Sequence, residues 1–165
     1  MAKNRNRKKR DWQPREQRLV AEYIARFYRD HESQTHVHLG SVQPRLKGKF
    51  QTEADARMLG LFRRWADALV LLPDRIVLIE GKILPQPGVL SQLELYARLI
   101  PKTPELAEHK HKPIEKVLLC AIEDPQVTAM AREQDVRVVT FKPAWLNSYL
   151  KILHARERTP SQSEL

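Results

Sequence analysis

Two apolar runs joined by Pro73 and Asp74 constrain this 165-residue chain more than any other feature. Trp65 to Leu72 and Arg75 to Ile83 each read as a strand, and the Pro-Asp pair between them as a tight turn, which predicts a hairpin-like unit. Both runs are almost continuously apolar, as expected of central strands covered on both faces. Asp67, Glu80 and Lys82 interrupt them. A charge set into such a strand is costly without a compensating interaction.

Side chains alternate along a strand, so Ile76, Leu78, Glu80 and Lys82 share one face. A suitable register brings Asp67, on the adjoining strand, within a few ångströms of Glu80. Two carboxylates that close raise each other's proton affinity unless a cation sits between them. Mg²⁺ prefers oxygen ligands and keeps several waters, so Asp67, Glu80 and the backbone carbonyl of Gly81 make a sufficient donor set. Lys82 is then placed to help activate a water and to stabilise charge at a reacting phosphorus. The plainer alternative is a structural Glu80–Lys82 ion pair, because Glu-x-Lys recurs by chance and such pairs are ordinary.

The remaining elements follow from periodicity. Pro14 suits the first turn of a helix, along which Leu19, Val20, Tyr23, Ile24, Phe27 and Tyr28 form an apolar stripe. Glu16, four residues before Val20, projects toward that apolar face. Thr35 to Val42 alternates as a first strand. Gly48 marks a turn, and Thr52 to Asp55 can cap a short helix. After the breaker Pro85 to Gly88, Val89 to Ile100 reads as a helix with Val89, Leu93, Tyr96, Ala97 and Ile100 on one side. A Pro- and Lys-rich connection over 101–115 leads to a buried strand, Lys116 to Ile122. A helix from Pro125 to about Gln134, a strand Val136 to Phe141 and a helix from Trp145 to about Arg156 complete the order. Trp145, Leu146, Tyr149 and Ile152 are expected on the core face of that last helix.

The set Asp67, Glu80-Gly81-Lys82, and Gln92 with Tyr96 in Gln-Leu-Glu-Leu-Tyr resembles the PD-(D/E)XK nuclease superfamily, in its RecB-like branch with a Q-x-x-x-Y motif. The resemblance runs over roughly residues 14 to 141. It implies an α/β fold with a PD-(D/E)XK (restriction-endonuclease-like) core, a mixed central β-sheet flanked by helices. It also implies Mg²⁺ or Mn²⁺ on Asp67, Glu80 and Gly81, a water assisted by Lys82, and DNA close to Gln92 and Tyr96. Many members add a glutamate from the first helix. Glu16 is the candidate by its facing and Glu22 the second; a helix-dipole role for Glu16 is the competing reading. Ala66 precedes Asp67 where the motif name has proline. The cysteines that hold a cluster in some RecB-like nucleases are absent, as is a P-loop, so neither an iron–sulfur cofactor nor ATP-driven translocation is implied.

Charge points to the same partner. The net charge is +9, and Lys3, Arg5, Arg7, Lys8, Lys9 and Arg10 supply six of the 29 basic residues. Without them 23 basic residues face 20 acidic ones, leaving +3. Residues 1–11 are expected to form a disordered basic arm attracted to polyanions, 12–157 a single domain, and 158–165 a flexible tail. The lone Cys120 excludes a disulfide framework and reads as a core thiol. His36 and His38 share a strand face without a cysteine companion, so zinc is not expected; either can border the carboxylate centre. Lys102, Lys110, His111 and Lys112 either touch phosphate or form a solvated loop. No apolar run reaches membrane-spanning length and no secretory signal is apparent, so a cytoplasmic protein without a membrane partner is expected.

The expected activity is metal-dependent hydrolysis of DNA phosphodiesters. It should be structure- or end-directed, because no separate DNA-reading module accompanies the domain. Small chains of this type resemble proteins of phages and mobile elements that process DNA in replication, recombination or packaging, with repair or restriction as equal fits. Host cytoplasm or a virion would then be the location. Endonuclease and exonuclease action both remain open. A recruiting protein and a homodimer are compatible, the latter because cutting both strands takes two sites. The alternative is a catalytically weak DNA-binding or assembly component that keeps the fold. A generic α/β interaction domain leaves Asp67 and Glu80 unexplained.

Overall fold

The computed structural model describes residues 5–40 and 64–158, with side chains over 14–40 and 64–155. The apolar runs become a five-stranded mixed sheet: β1 (Glu32–Leu39), β2 (Arg64–Leu71), β3 (Ile76–Lys82), β4 (Ile114–Cys120) and β5 (Val136–Thr140). They lie side by side in chain order. β1–β2 and β2–β3 are antiparallel, whereas β3–β4 and β4–β5 are parallel. The Pro-Asp turn closes with the Leu72 N–H donating to the Arg75 carbonyl at 2.9 Å.

The helices are α1 (Arg5–Phe27), α2 (Gly88–Leu99), α3 (Pro125–Glu133) and α4 (Leu146–Arg158). Two short 3₁₀ turns, Ile100–Lys102 and Pro104–His109, fill the Pro- and Lys-rich connection. α3 starts where Asp124 accepts from the Gln126 and Val127 N–H groups, with Pro125 in its first turn. One face of the sheet packs Leu69, Leu71, Ile76 and Leu78 against Val89, Leu90, Leu93 and Tyr96 of α2 and Val127 and Ala131 of α3. The other packs Ala68, Val70, Val77 and Ile79 against Leu19, Val20, Tyr23 and Ile24 of α1 and Leu146 and Tyr149 of α4. Leu78 and Ile79 are fully buried, each worth about 1.5–3 kcal/mol of transfer free energy. The fold is thus α/β, a mixed sheet with helices on both faces, and the expected element order holds over the described residues.

Some boundaries move. α1 begins at Arg5 rather than at Pro14, which lies inside it; proline there removes one N–H donor while the helix continues through it. The first strand is Glu32–Leu39 rather than 35–42, and Gly40 ends it at φ 84, its N–H held by the Thr103 hydroxyl at 2.9 Å. Ile152 is 45% exposed, not on the core face of α4. Leu146, Tyr149, Leu150 and Leu153 form that face at helical spacing, and Ile152 falls off it. Phe27, at the end of the α1 stripe, is likewise exposed, edge-on to Phe141. The turn and short helix expected within 45–60, the tail from 159, Lys3, and the side chains of Arg5, Arg7, Lys8, Lys9 and Arg10 lie outside the described residues. Cys120 is buried, as expected. No described helix is long and apolar enough to cross a membrane.

Candidate functional site

The sheet parts where its charges sit. The β2–β3 ladder ends at the pair Ala68–Ile79. Beyond it β2 stays with β1 as far as Arg64, and β3 stays with β4 as far as Lys82. Asp67 and Glu80 occupy the first positions past the split. The Gly81 N–H, which would otherwise face a strand carbonyl, donates to the Asp67 carboxylate (Oδ2) at 2.8 Å. Side-chain alternation on β2 also slips here, since Ala66 and Leu69 pack on the same face. At the same level on β1, His36 adopts φ 53 and interrupts the β1–β2 ladder between Thr35–Ala68 and Val37–Ala66.

Lys82 lies at the centre of the cluster. Its ammonium (Nζ) is 3.2 Å from Glu80 Oε1 and 3.7 Å from Glu16 Oε2. Glu16 reaches from α1 past the end of β3, where its Oε1 accepts from the Ile83 N–H at 3.4 Å. Gly81 makes this approach feasible: a Cβ there would collide with Val20 and lie 3.3 Å from the Glu16 carbonyl oxygen. Glu22, the second helix candidate, is engaged elsewhere. It pairs with Arg18 at 2.7 Å and accepts from the Trp145 indole at 3.0 Å. On α2 the Gln92 amide donates to the Tyr96 hydroxyl at 2.8 Å. A cleft of about 460 Å³, lined by Glu16, Lys82, Leu84, Gln86, Gly88, Val89 and Gln92, opens onto the cluster.

The electrostatics are strained. Glu80 is 2% exposed, and its Oε2 has no hydrogen-bond partner among the described residues. Burial, then the nearby Asp67 charge, push its carboxyl up to about 7, against the pull of Lys82 and of the Asp67 backbone N–H. Burial also raises Asp67, opposed by the Gly81 N–H, Lys82 and His36. Glu16 is raised by burial as well, with Lys82 opposing. Burial works to lower Lys82, yet Glu80, Glu16 and Asp67 together hold it above its ordinary value. Burial raises the Tyr96 hydroxyl, which also senses Glu80 and Asp67. Chemically the cluster offers acidic oxygens for a cation, a retained ammonium for an anion, and an adjoining cleft.

The structure therefore brings together Asp67, Glu80, Gly81, Lys82 and Glu16, with Gln92 and Tyr96 on the neighbouring helix. Among the described residues no three His, Cys, Asp or Glu side chains converge as a ready metal-ligand set, so any ion here would draw on backbone oxygen and water as well. Lys112 is spent on structure, donating to the Leu72 carbonyl at 2.7 Å, while Lys102, Lys110 and His111 are exposed. Sequence reasoning did not anticipate Leu84 and Gln86 as cleft walls. Their signal was only their position just after Lys82, in a segment read as a breaker. These features define an α/β domain with a buried carboxylate–lysine centre at the split of its sheet. No protein-family model, curated protein or solved structure matches the chain.

Proposed function

We propose that this protein is a divalent-metal-dependent deoxyribonuclease with a PD-(D/E)XK core of the RecB-like kind. The observation that carries the reading is Glu80, a buried carboxylate with an unpartnered oxygen beside Asp67 and Lys82. An oxygen in that condition fits a hard cation, and Mg²⁺ or Mn²⁺ would be held by Asp67, Glu80 and the Gly81 carbonyl, with water completing the shell. The bound ion would supply Lewis acidity toward a phosphate oxygen and a more acidic water.

The chain's own groups do the rest. Lys82, kept protonated by three acidic neighbours, orients the attacking water and meets negative charge gathering on the phosphorus oxygens. Glu16 fixes the lysine from the side of α1 and acts as a positioning residue. The linked Gln92 and Tyr96 border the DNA strand in the adjoining cleft. The basic residues at positions 3–10 add sequence-independent attraction to phosphate.

A second reading has its own observation. Lys82 already pairs with both Glu80 and Glu16, so the cluster also suits a catalytically weak DNA-binding or assembly component in which the lysine takes the place of the metal. Supercoiled, linear and branched DNA incubated with Mg²⁺, Mn²⁺, Ca²⁺ or chelator separates the two. The nuclease reading expects cutting with Mg²⁺ or Mn²⁺ that falls at least 100-fold in Glu80→Ala and in Lys82→Ala, in line with loss of a charge-stabilising group. Binding without cutting by wild type supports the second reading.

A further inference from the structure

A separate cleft of about 380 Å³ opens between α1 and β1, lined by Gln17, Val20, Ala21, Thr35, His36 and Asp67. It reaches the carboxylate centre by a different approach from the cleft beside α2. Its walls differ in kind. Val20 and Ala21 are aliphatic, Gln17 and Thr35 carry an amide and a hydroxyl, and His36 presents a flat ring.

His36 is held in an unusual state. Its φ of 53 lies in the left-handed region, uncommon for a residue with a side chain and most informative beside a functional site. Its imidazole stacks on the Trp65 indole with centroids 4.3 Å apart and planes 16° apart. His38 stacks on the same indole at 4.1 Å and 13°. Trp65 is still 47% exposed, a large aromatic left at the open end of the sheet, two residues from Asp67. A stacked ring backed by an indole, with aliphatic carbon, an amide, a hydroxyl and the Asp67 carboxylate around the same cleft, suits a planar heteroaromatic. Base-on-aromatic stacking is worth roughly 1–3 kcal/mol per base and tolerates any sequence. An amide at the edge can pair with base heteroatoms.

We propose that this cleft takes an unpaired nucleobase of a DNA strand, stacked on His36 with Trp65 behind it, next to the carboxylate centre. The inference rests on the nuclease reading and deepens it, making the substrate a DNA end, overhang or flap. A base in an intact duplex must first leave its stack, at a cost of a few kcal/mol, whereas an overhanging base is already free.

The test uses the full chain in chelator, where cleavage does not intrude, with duplexes that are blunt or carry a short overhang containing 2-aminopurine. Overhang DNA should bind about 10-fold more tightly than blunt DNA, the size of one stacked base, and the probe should be quenched on binding. Both effects should be lost in His36→Gly, which removes the ring and suits the left-handed backbone, and in Trp65→Leu. Thermal melting checks that each variant folds. Equal affinity for blunt and overhang DNA, an unquenched probe, or quenching unchanged in both variants overturns the proposal. Free 2-aminopurine nucleotide is the remaining arm; quenching at the same concentration as the strand assigns the cleft to free nucleotides and overturns the DNA assignment. Wild-type cleavage with Mg²⁺ is scored separately. Absence of cutting with quenching intact defeats the nuclease reading and leaves the base site standing.

Discussion

Folding carries the Glu80 carboxyl from water to a site 2% exposed, where burial and the Asp67 charge raise it from 4.5 to about 7. Because the folded value lies above the unfolded one, folding takes up a proton across that interval. The associated stability is present below about pH 4.5 and is lost as pH rises through about 7. A shift of that size corresponds to on the order of 3 kcal/mol. Asp67 and Glu16, also raised, act in the same direction. Glu94 and Glu115 are held below their ordinary value, Glu94 chiefly by Lys116 and Glu115 by Arg75 and Arg137 against burial; being near the surface they oppose the trend only weakly. Urea titrations in chelator should show wild type losing stability from pH 5 to pH 8. Glu80→Gln should lose less over that range, keeping only the part that Asp67 and Glu16 carry, and should be more stable than wild type at pH 8. A wild type as stable at pH 8 as at pH 5 would contradict this. At neutral pH and above, such a residue lowers the stability of the sheet that holds it. Asp67, Glu80 and Lys82 were legible in the sequence because charges interrupt an apolar run. The state of His36 was not, since a left-handed φ leaves no mark on a one-residue histidine pattern.

At the scale of elements, the site depends on how closely α1 crosses β3. Gly81 leaves room for Val20 and the Glu16 carbonyl, and Glu16 rides on that contact. Gly81→Ala should destabilise the protein by roughly 1–3 kcal/mol, the usual cost of overpacking, and should displace Glu16 from Lys82. Adding Val20→Ala removes the colliding methyl groups, so the double variant should recover part of that loss. Denaturant melts of the two variants and wild type check this, and strictly additive losses would contradict the contact. The strands and helices that set this crossing were readable from periodicity, down to the Pro-Asp turn and the Pro125 start of α3. Their limits were less so. Pro14 can begin a helix or sit within one, and the choice depends on tertiary packing rather than on local propensity. The end of β1 at Gly40 is fixed by a hydrogen bond to Thr103, 63 residues away, which no local pattern records. Ile152 misled because it is apolar but lies off the 146–149–150–153 stripe.

For the whole molecule, charge is concentrated at one end of the chain. Six basic residues among the first ten account for most of the +9 net charge. Deleting residues 1–10 should weaken DNA binding at low salt. It should also lower the slope of log affinity against log salt by about 0.9 for each phosphate that those residues neutralise. Fluorescence anisotropy at several salt concentrations measures it, and an unchanged slope would show that those residues do not touch DNA. The sheet split, the α1 crossing and the α2 cleft all converge on the carboxylates, so ion binding should register in global stability. The decisive measurement is the melting temperature of wild type and Glu80→Gln at pH 8, with chelator and with saturating Mn²⁺. An ion held on Asp67, Glu80 and Gly81 at 100 times its dissociation constant adds about 2.7 kcal/mol, a rise of roughly 5–10 °C for a chain of this size. That rise is expected in wild type and not in Glu80→Gln, which should already melt higher in chelator. Equal melting temperatures with and without Mn²⁺ in wild type, or an equal rise in both proteins, would contradict a metal centre at Glu80.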